Sequence, residues 1–201
     1  DLGQSDLFIE NASKMNIDLT KVDVVVISHG HYDHGGGLKA FLNVNSKAKI
    51  YIHSSAFEKY YSMRGQDEFV YIGLDESITK SERIIYNSDH LKIDDQLELI
   101  SNVTGNEHIY SSNKTLFIKK ADTKHQDSFE HEQSLIISEN EKMVLIVGCA
   151  HKGIENIITK AVKQKNKSMD FVIGGFHLQN TSMGTTEEYD LIRSIAQRLK
   201  N

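Results

Sequence analysis

An α/β fold is predicted for this chain, with strands mixed among a few helices, and three observations predict it. The apolar runs Val22–Ser28, Met143–Val147 and Asp170–Ile173 are short and unbroken, which suits strands buried on both faces. Between the last two, Ile154, Ile157, Ile158, Ala161 and Val162 follow the i, i+3, i+4, i+7, i+8 spacing of an amphipathic helix over Lys152–Lys163. The 201 residues, 39% hydrophobic and 25% charged, suffice for one core of ordinary soluble composition. An α/β sandwich over residues 1–201, taken as one domain, satisfies that order.

The chain opens Asp1-Leu2-Gly3-Gln4-Ser5, like the end of a strand entering a helix, so strands are expected to precede it and a leader stays open. Ser5 is placed to cap a helix through about Met15, with Leu7, Phe8, Ala12 and Met15 as its apolar stripe. The strand Val22–Ser28 leads into a glycine-rich loop and a short helix near Leu38–Leu42, then a strand at Ala48–His53. From Ser54 to Asp95 no period is clean. A helix carrying Tyr60, Tyr61, Met63 and Arg64 is expected there, followed by an irregular insertion. Gln96–Val103, Leu116–Lys119 and Ser134–Ser138 read as strands separated by turns. Thr185 and Glu188 have capping-box spacing for a last helix with Ile192, Ile195, Ala196 and Leu199.

Composition narrows the partners. A formal net charge of −5 argues against long nucleic acids, whose binding faces collect Lys and Arg. No apolar run approaches the roughly 18 residues of a membrane span, so no membrane partner is expected. The lone Cys149 allows no intrachain disulfide, which fits a reducing cytoplasm. A small-molecule substrate remains.

Histidines carry the chemical signal. Each of the three apolar runs leads into one: Val22–Ser28 into His29 and His31, Met143–Val147 through Gly148-Cys149-Ala150 into His151, and Asp170–Ile173 through Gly174-Gly175-Phe176 into His177. If those strands share a sheet, the histidines meet at one rim. In extended chain, residues two apart point to the same side, so His29 and His31 can pinch one cation. Asp33 and His34 follow after a turn and face a second position. Imidazole and carboxylate ligands suit zinc, and also iron or manganese. Two such ions can share a hydroxide that attacks a carbonyl or phosphoryl centre. His53, His90, His108 and His125 stand alone and read as structural residues.

Ser28-His29-Gly30-His31-Tyr32-Asp33-His34-Gly35 after a buried strand resembles the signature His-x-His-x-Asp-His of the metallo-β-lactamase superfamily. That resemblance implies an αββα sandwich, here without its first strands. It also implies one metal held by His29, His31 and His151, a second held by Asp33, His34 and His177, and Asp33 orienting the nucleophilic water. Asp1–Ser5, Phe129–Leu135, Gly148–His151 and Gly174–Leu178 are similar to a branch known for dihydropterin-ribofuranosyl-aminobenzene phosphate synthase, linked to methanopterin synthesis. This likeness covers both ends of the chain and leaves out residues 54–124. Many superfamily members carry a bridging aspartate where this chain has Cys149, whose thiolate either ligates a soft metal or packs as a small hydrophobe. His131 and Glu132 are either a proton donor or substrate contact near the site, or a surface pair. Arg64 with Tyr60 and Tyr61 is either an anion contact or a solvated helix face.

The expected function is a metal-dependent hydrolase using a metal-bound hydroxide on a small anionic substrate, a phosphoester or pterin-related compound. A metal-binding or ligand-sensing protein with little catalysis is the alternative, which the Cys149 departure keeps open. A di-iron oxidoreductase fits less well, because such relatives carry Glu where His31 stands.

Overall fold

A computed structural model describes residues 1–65, 68–105, 110–180 and 184–200. In chain order the elements are α1 (Leu7–Lys14), β1 (Val24–Val26), α2 (Tyr32–Gly35), α3 (Leu38–Val44), β2 (Lys49–His53), β3 (Lys59–Arg64) and β4 (Glu68–Tyr71). Then come β5 (Ile84–Asn87), β6 (Leu91–Lys92), β7 (Leu97–Ile100), β8 (Leu116–Lys120), β9 (Thr123–Gln126), β10 (Ser134–Glu139) and β11 (Lys142–Ile146). The chain continues with α4 (Ile154–Lys165), β12 (Phe171–Ile173), β13 (Gln179–Asn180), β14 (Thr185–Thr186) and α5 (Tyr189–Arg198).

A parallel sheet runs β1-β2-β5, and a mixed one runs β12-β11-β10-β7-β6. Each carries helices on one face. Leu38 and Phe41 of α3, with Phe8 of α1, pack on Val25, Ile27, Ile50 and Ile52 of the parallel sheet. Ile154, Ile157 and Ala161 of α4, with Ile195 of α5, pack on Ile100, Ile136 and Leu145 of the mixed sheet. The opposite faces meet: Val24 and Val26 share a cavity of about 270 Å³ with Leu97, Leu135 and Ile146. Gln133 ties them together, its side-chain amide donating to Ile27 O at 2.8 Å and Tyr51 O at 3.1 Å.

Several expectations are corrected. Residues 54–95 are not a helix and an irregular insertion. They contain β3 and β4, which join β8 and β9 in an antiparallel sheet of order β4-β3-β8-β9, followed by β5 and β6. Alternation is hidden there because both faces of β3 are aromatic. Tyr60 is buried, while Tyr61 packs on Tyr71 (centroids 5.5 Å apart) on the other side. Arg64 therefore ends a strand, exposed, rather than lying on a helix. Ser5 does not cap α1; Asp6 holds that position without a side-chain bond, and the Ser5 hydroxyl accepts from Leu7 N–H at 3.3 Å. The capping box fails too. Thr185 pairs with Asn180 in β14, and α5 starts after Glu188, which makes no side-chain cap. Part of the glycine-rich loop is a helical turn, α2.

The three histidine-terminated runs do not share a sheet, since β1 lies in one and β11 and β12 in the other. Their ends converge because the sheets face each other, and Gly148 sets how closely. A Cβ there would stand 2.2 Å from Ser28 Oγ and 2.5 Å from Ser28 Cβ. Gly30 is as tight, with a Cβ meeting the Ala56 carbonyl oxygen at 2.4 Å. Backbone cannot rotate away as a side chain can, so Gly30→Ala is expected to destabilise by about 1–3 kcal/mol. A urea melt checks this, and an unchanged midpoint would mean that the turn at Ala56 simply moves aside.

Candidate metal centre

The convergence brings together residues far apart in sequence. His29 and His31 follow β1, His34 sits on α2, Cys149 and His151 follow β11, and His177 follows β12. Ring centroids lie 4.6 Å apart for His29 and His31, 4.9 Å for His29 and His151, and 4.2 Å for His151 and His177. Among the described residues four overlapping groups hold potential ligand atoms within 4.8 Å of one another: His29, His31 and His151; His29, His34 and Cys149; Cys149, His151 and His177; and His31, Asp127 and His131. Cys149 thus belongs to two groups, with its Sγ 3.1 Å from His34 Nε2. Asp33 stands at the exposed rim, its carboxylate 3.7 Å from the same nitrogen.

Outer partners fix which imidazole nitrogen faces inward. His34 Nδ1 donates to the Asp1 carboxylate at 2.7 Å. His151 Nδ1 donates to Asn113 Oδ1 at 2.9 Å, while the Asn113 amide donates to the His151 carbonyl. Ser28 Oγ donates to Asp1 at 2.9 Å and so accepts from His29 Nδ1, also at 2.9 Å. A proton on Nδ1 leaves a lone pair on Nε2, which is the form that binds a cation. Among the described residues five buried side-chain Nε2 atoms have no hydrogen-bond partner; four of them, those of His29, His31, His151 and His177, belong to this cluster, and the fifth is that of His53. Orphaned polar atoms are rare in folded proteins, and four converging ones fit a cation.

Electrostatics agree. Burial first, then the neighbouring imidazoles, holds His29 and His151 well below the ordinary histidine range. Burial and then His31 lower His177. All three are kept in the neutral, ligating form. Burial also opposes charge on His34, but the Cys149 thiol and the Asp33 carboxylate more than offset it and raise its pKa.

His131 lies behind this cluster, fully buried, with both nitrogens engaged. Nδ1 accepts from Gly30 N–H at 2.8 Å, so Nε2 carries the proton and donates to Asp127 at 3.0 Å. Burial lowers its pKa and Asp127 only partly restores it. Glu132 is equally buried, and its oxygens accept from the backbone N–H groups of His151 and Lys152 at 2.7 and 2.9 Å. Burial pushes its carboxyl up to about 7 against those bonds. The two are therefore not a surface pair. Elsewhere, His90 pairs with Glu98, His125 is exposed on β9, and His53 Nδ1 accepts from Ser55 N–H. His108 lies outside the described residues.

Besides Asp1 and Ser28, which orient His34 and His29, two further supporting residues escaped the sequence reading. Asp127 accepts from Phe129 N–H and His131, and Asn113 orients His151. Neither sits in a motif with ligand spacing, so a lone Asp and a lone Asn carried no signal. Removing a partner of this kind typically weakens metal binding about 10–100-fold. Asn113→Ala is expected to do so in competition with a chromophoric chelator; unchanged affinity would mean that the ring is held some other way.

Comparison with known proteins places the chain. Residues 3–110 match the family described as Metallo-beta-lactamase superfamily. A 7,8-dihydropterin-6-methyl-4-(beta-D-ribofuranosyl)-aminobenzene-5'-phosphate synthase of Methanocaldococcus jannaschii is 27% identical over 84% of this chain, which spans 60% of that protein. An uncharacterised protein of the same archaeon is 31% identical over 90% of the chain and 68% of its own length. Among solved structures, Tm1679, a metal-dependent hydrolase of the beta-lactamase superfamily, superposes with a TM-score of 0.79 at 32% identity, covering 98% of this chain and 70% of its own. No helix among the described residues is long and apolar enough to cross a membrane. With the sheets, their flanking helices and the histidine cluster at one edge, these matches give the fold class as the αββα sandwich, and the chain belongs to the metallo-β-lactamase superfamily.

Proposed function

We propose that residues 1–201 form the catalytic domain of a metal-dependent hydrolase acting on a small, anionic substrate. The observation that carries this is the set of four buried, unpartnered Nε2 atoms with the Cys149 thiol between them. His29, His31 and His151 would hold one divalent cation, and His34, His177 and Asp33 a second, with Cys149 in reach of both. Zinc suits such a nitrogen- and sulfur-rich set, with iron or manganese as alternatives. When bound, these ions supply Lewis acidity and make water a nucleophile near neutral pH.

The chain's own groups do the rest. Asp33, at the exposed rim, orients the attacking water through its carboxylate. Ser28, Asp1 and Asn113 hold the imidazoles in the ligating tautomer. His131 acts as a positioning residue rather than as a proton donor, because both of its nitrogens are bonded inside the protein. A thiol kept among imidazoles fits a reducing compartment, so a cytoplasmic location belongs to this reading. The synthase among the relatives favours one second reading. There the same site would transfer a group to a substrate nucleophile instead of to water.

Metal content by plasma emission, on protein purified without added metal, tests the site. About two equivalents are expected in the parent, with losses in His151→Ala, Asp33→Ala and Cys149→Ala. Less than half an equivalent, unchanged by these substitutions and not restored by zinc, iron or manganese, would sink the reading. Hydrolysis of phosphoester, thioester or lactam panels that is lost in folded His31→Ala would eliminate a sensor without turnover.

A further inference from the structure

A cavity of about 520 Å³ opens beside the histidine cluster, and its wall includes His151 and Phe129. Phe129 stacks on the His151 ring at 4.5 Å and 3° between planes, so the cavity and the cluster share a wall. The volume is that of a small-molecule pocket. Two cations line it, Lys114 from the turn before β8 and Lys152 just after His151.

These lysines differ from many others in the chain. Lys14, Lys39, Lys47, Lys59, Lys92 and Lys142 each pair with a carboxylate. Among the described residues, no carboxylate lies within ion-pair distance of Lys114 or Lys152. Among the same residues the Lys152 ammonium donates only to the Ser128 carbonyl, at 3.0 Å. Glu132 takes the backbone N–H of Lys152, not its ammonium. Asp127 also lines the cavity, but its oxygens are engaged by Phe129 N–H and His131. The cavity therefore presents two ammonium groups that no carboxylate pairs with, set against the one buried, ionised Asp127 carboxylate, next to the candidate metal ligands. Thr104 and Ser128 add hydroxyls to the same wall, and Val103 and Phe129 add apolar surface.

We propose that this cavity is the substrate pocket, and that Lys114 and Lys152 hold the phosphoryl group of a phosphorylated small molecule. Two ammonium groups and two hydroxyls match a dianion with three free oxygens better than a carboxylate, which has one charge and two oxygens. Lysine binds such a group as a point charge, needing no fixed fork geometry. The inference rests on the hydrolase reading for the site next door, and deepens it by naming the substrate class.

Calorimetric titration of the full chain with phenylphosphonate, and separately with benzoate, tests it on metal-loaded and chelator-treated protein. Metal content is measured on every variant. The parent is expected to prefer phenylphosphonate. Lys114→Met with Lys152→Met should weaken that binding by about tenfold or more while metal content holds, and Lys120→Met should leave it unchanged. Affinity retained in the double variant, or no preference over benzoate, would overturn the proposal. Protein that takes up no metal would instead count against the hydrolase reading, and lysine dependence on the chelator-treated protein would still decide this one.

Discussion

His131→Ala is expected to destabilise the protein by about 2–5 kcal/mol, because two buried polar groups each lose a hydrogen-bond partner at about 1–3 kcal/mol apiece, more for a charged one. The ring fills a fully buried position between Tyr60, at 4.1 Å, and the loop carrying His29 and His31. Its loss strands two polar groups at once. Gly30 N–H loses the acceptor it has among the described residues, and the Asp127 carboxylate loses the donor to its second oxygen. Hydrogen bonds from His131 and Phe129 N–H hold Asp127 far below the usual carboxylate range despite burial, so it stays ionised. An ionised carboxylate left in that interior costs more than the hydrogen bond itself. Urea denaturation followed by circular dichroism reads the effect. A cost under about 1 kcal/mol would mean that water or a moved side chain replaces the ring. His131→Gln, which keeps an acceptor and a donor, should recover part of the loss.

The metal-free protein is expected to lose roughly 2–5 kcal/mol of stability between pH 7 and pH 5. His29 and His151 have folded-state pKa values far below their unfolded value of 6.5. Below 6.5 the unfolded chain takes up protons that the folded chain refuses, so stability falls as pH falls. Each such histidine contributes about 1 kcal/mol per pH unit. His53, His131 and His177 are lowered as well and act in the same direction. Two groups oppose them. Glu132, raised from 4.5 to about 7, gives stability that is full below 4.5 and lost as pH rises through 7. His34, raised above 6.5, likewise favours the folded state at lower pH. The lowered histidines outnumber these, which sets the sign. Urea melts at pH 7 and pH 5 in the presence of a chelator check it, and stability that is flat or higher at pH 5 would refute it. Saturating divalent metal at pH 7 should stabilise further, since it binds only the assembled cluster.

Local sequence determined much of this. The period in residues 152–163 becomes α4, and the apolar runs become β1, β11 and β12, β1 and β12 shorter than their runs and β11 shifted by one residue. The six-residue stretch from His29 to His34 declares a ligand-rich turn because spacing within a turn is a local property. The runs that end in histidine likewise marked His151 and His177. Residues 54–95 were illegible because a sheet with aromatic side chains on both faces has no alternation to read.

What only tertiary structure decided is how separate segments meet. The histidine-bearing strands sit in two sheets rather than one, and they converge because Gly148 lets its backbone reach Ser28. No pattern in the chain announces that Asn113 will turn His151, that Asp127 will bury beside His131, or that Lys114 and Lys152 will face one cavity. Asn113 and His151 are 38 positions apart on different segments, and Asp127 and His131, though four apart in one loop, are set by the sheets on either side of it. Periodicity encodes which face of an element is buried, whereas the partner across the interface depends on how whole sheets pack.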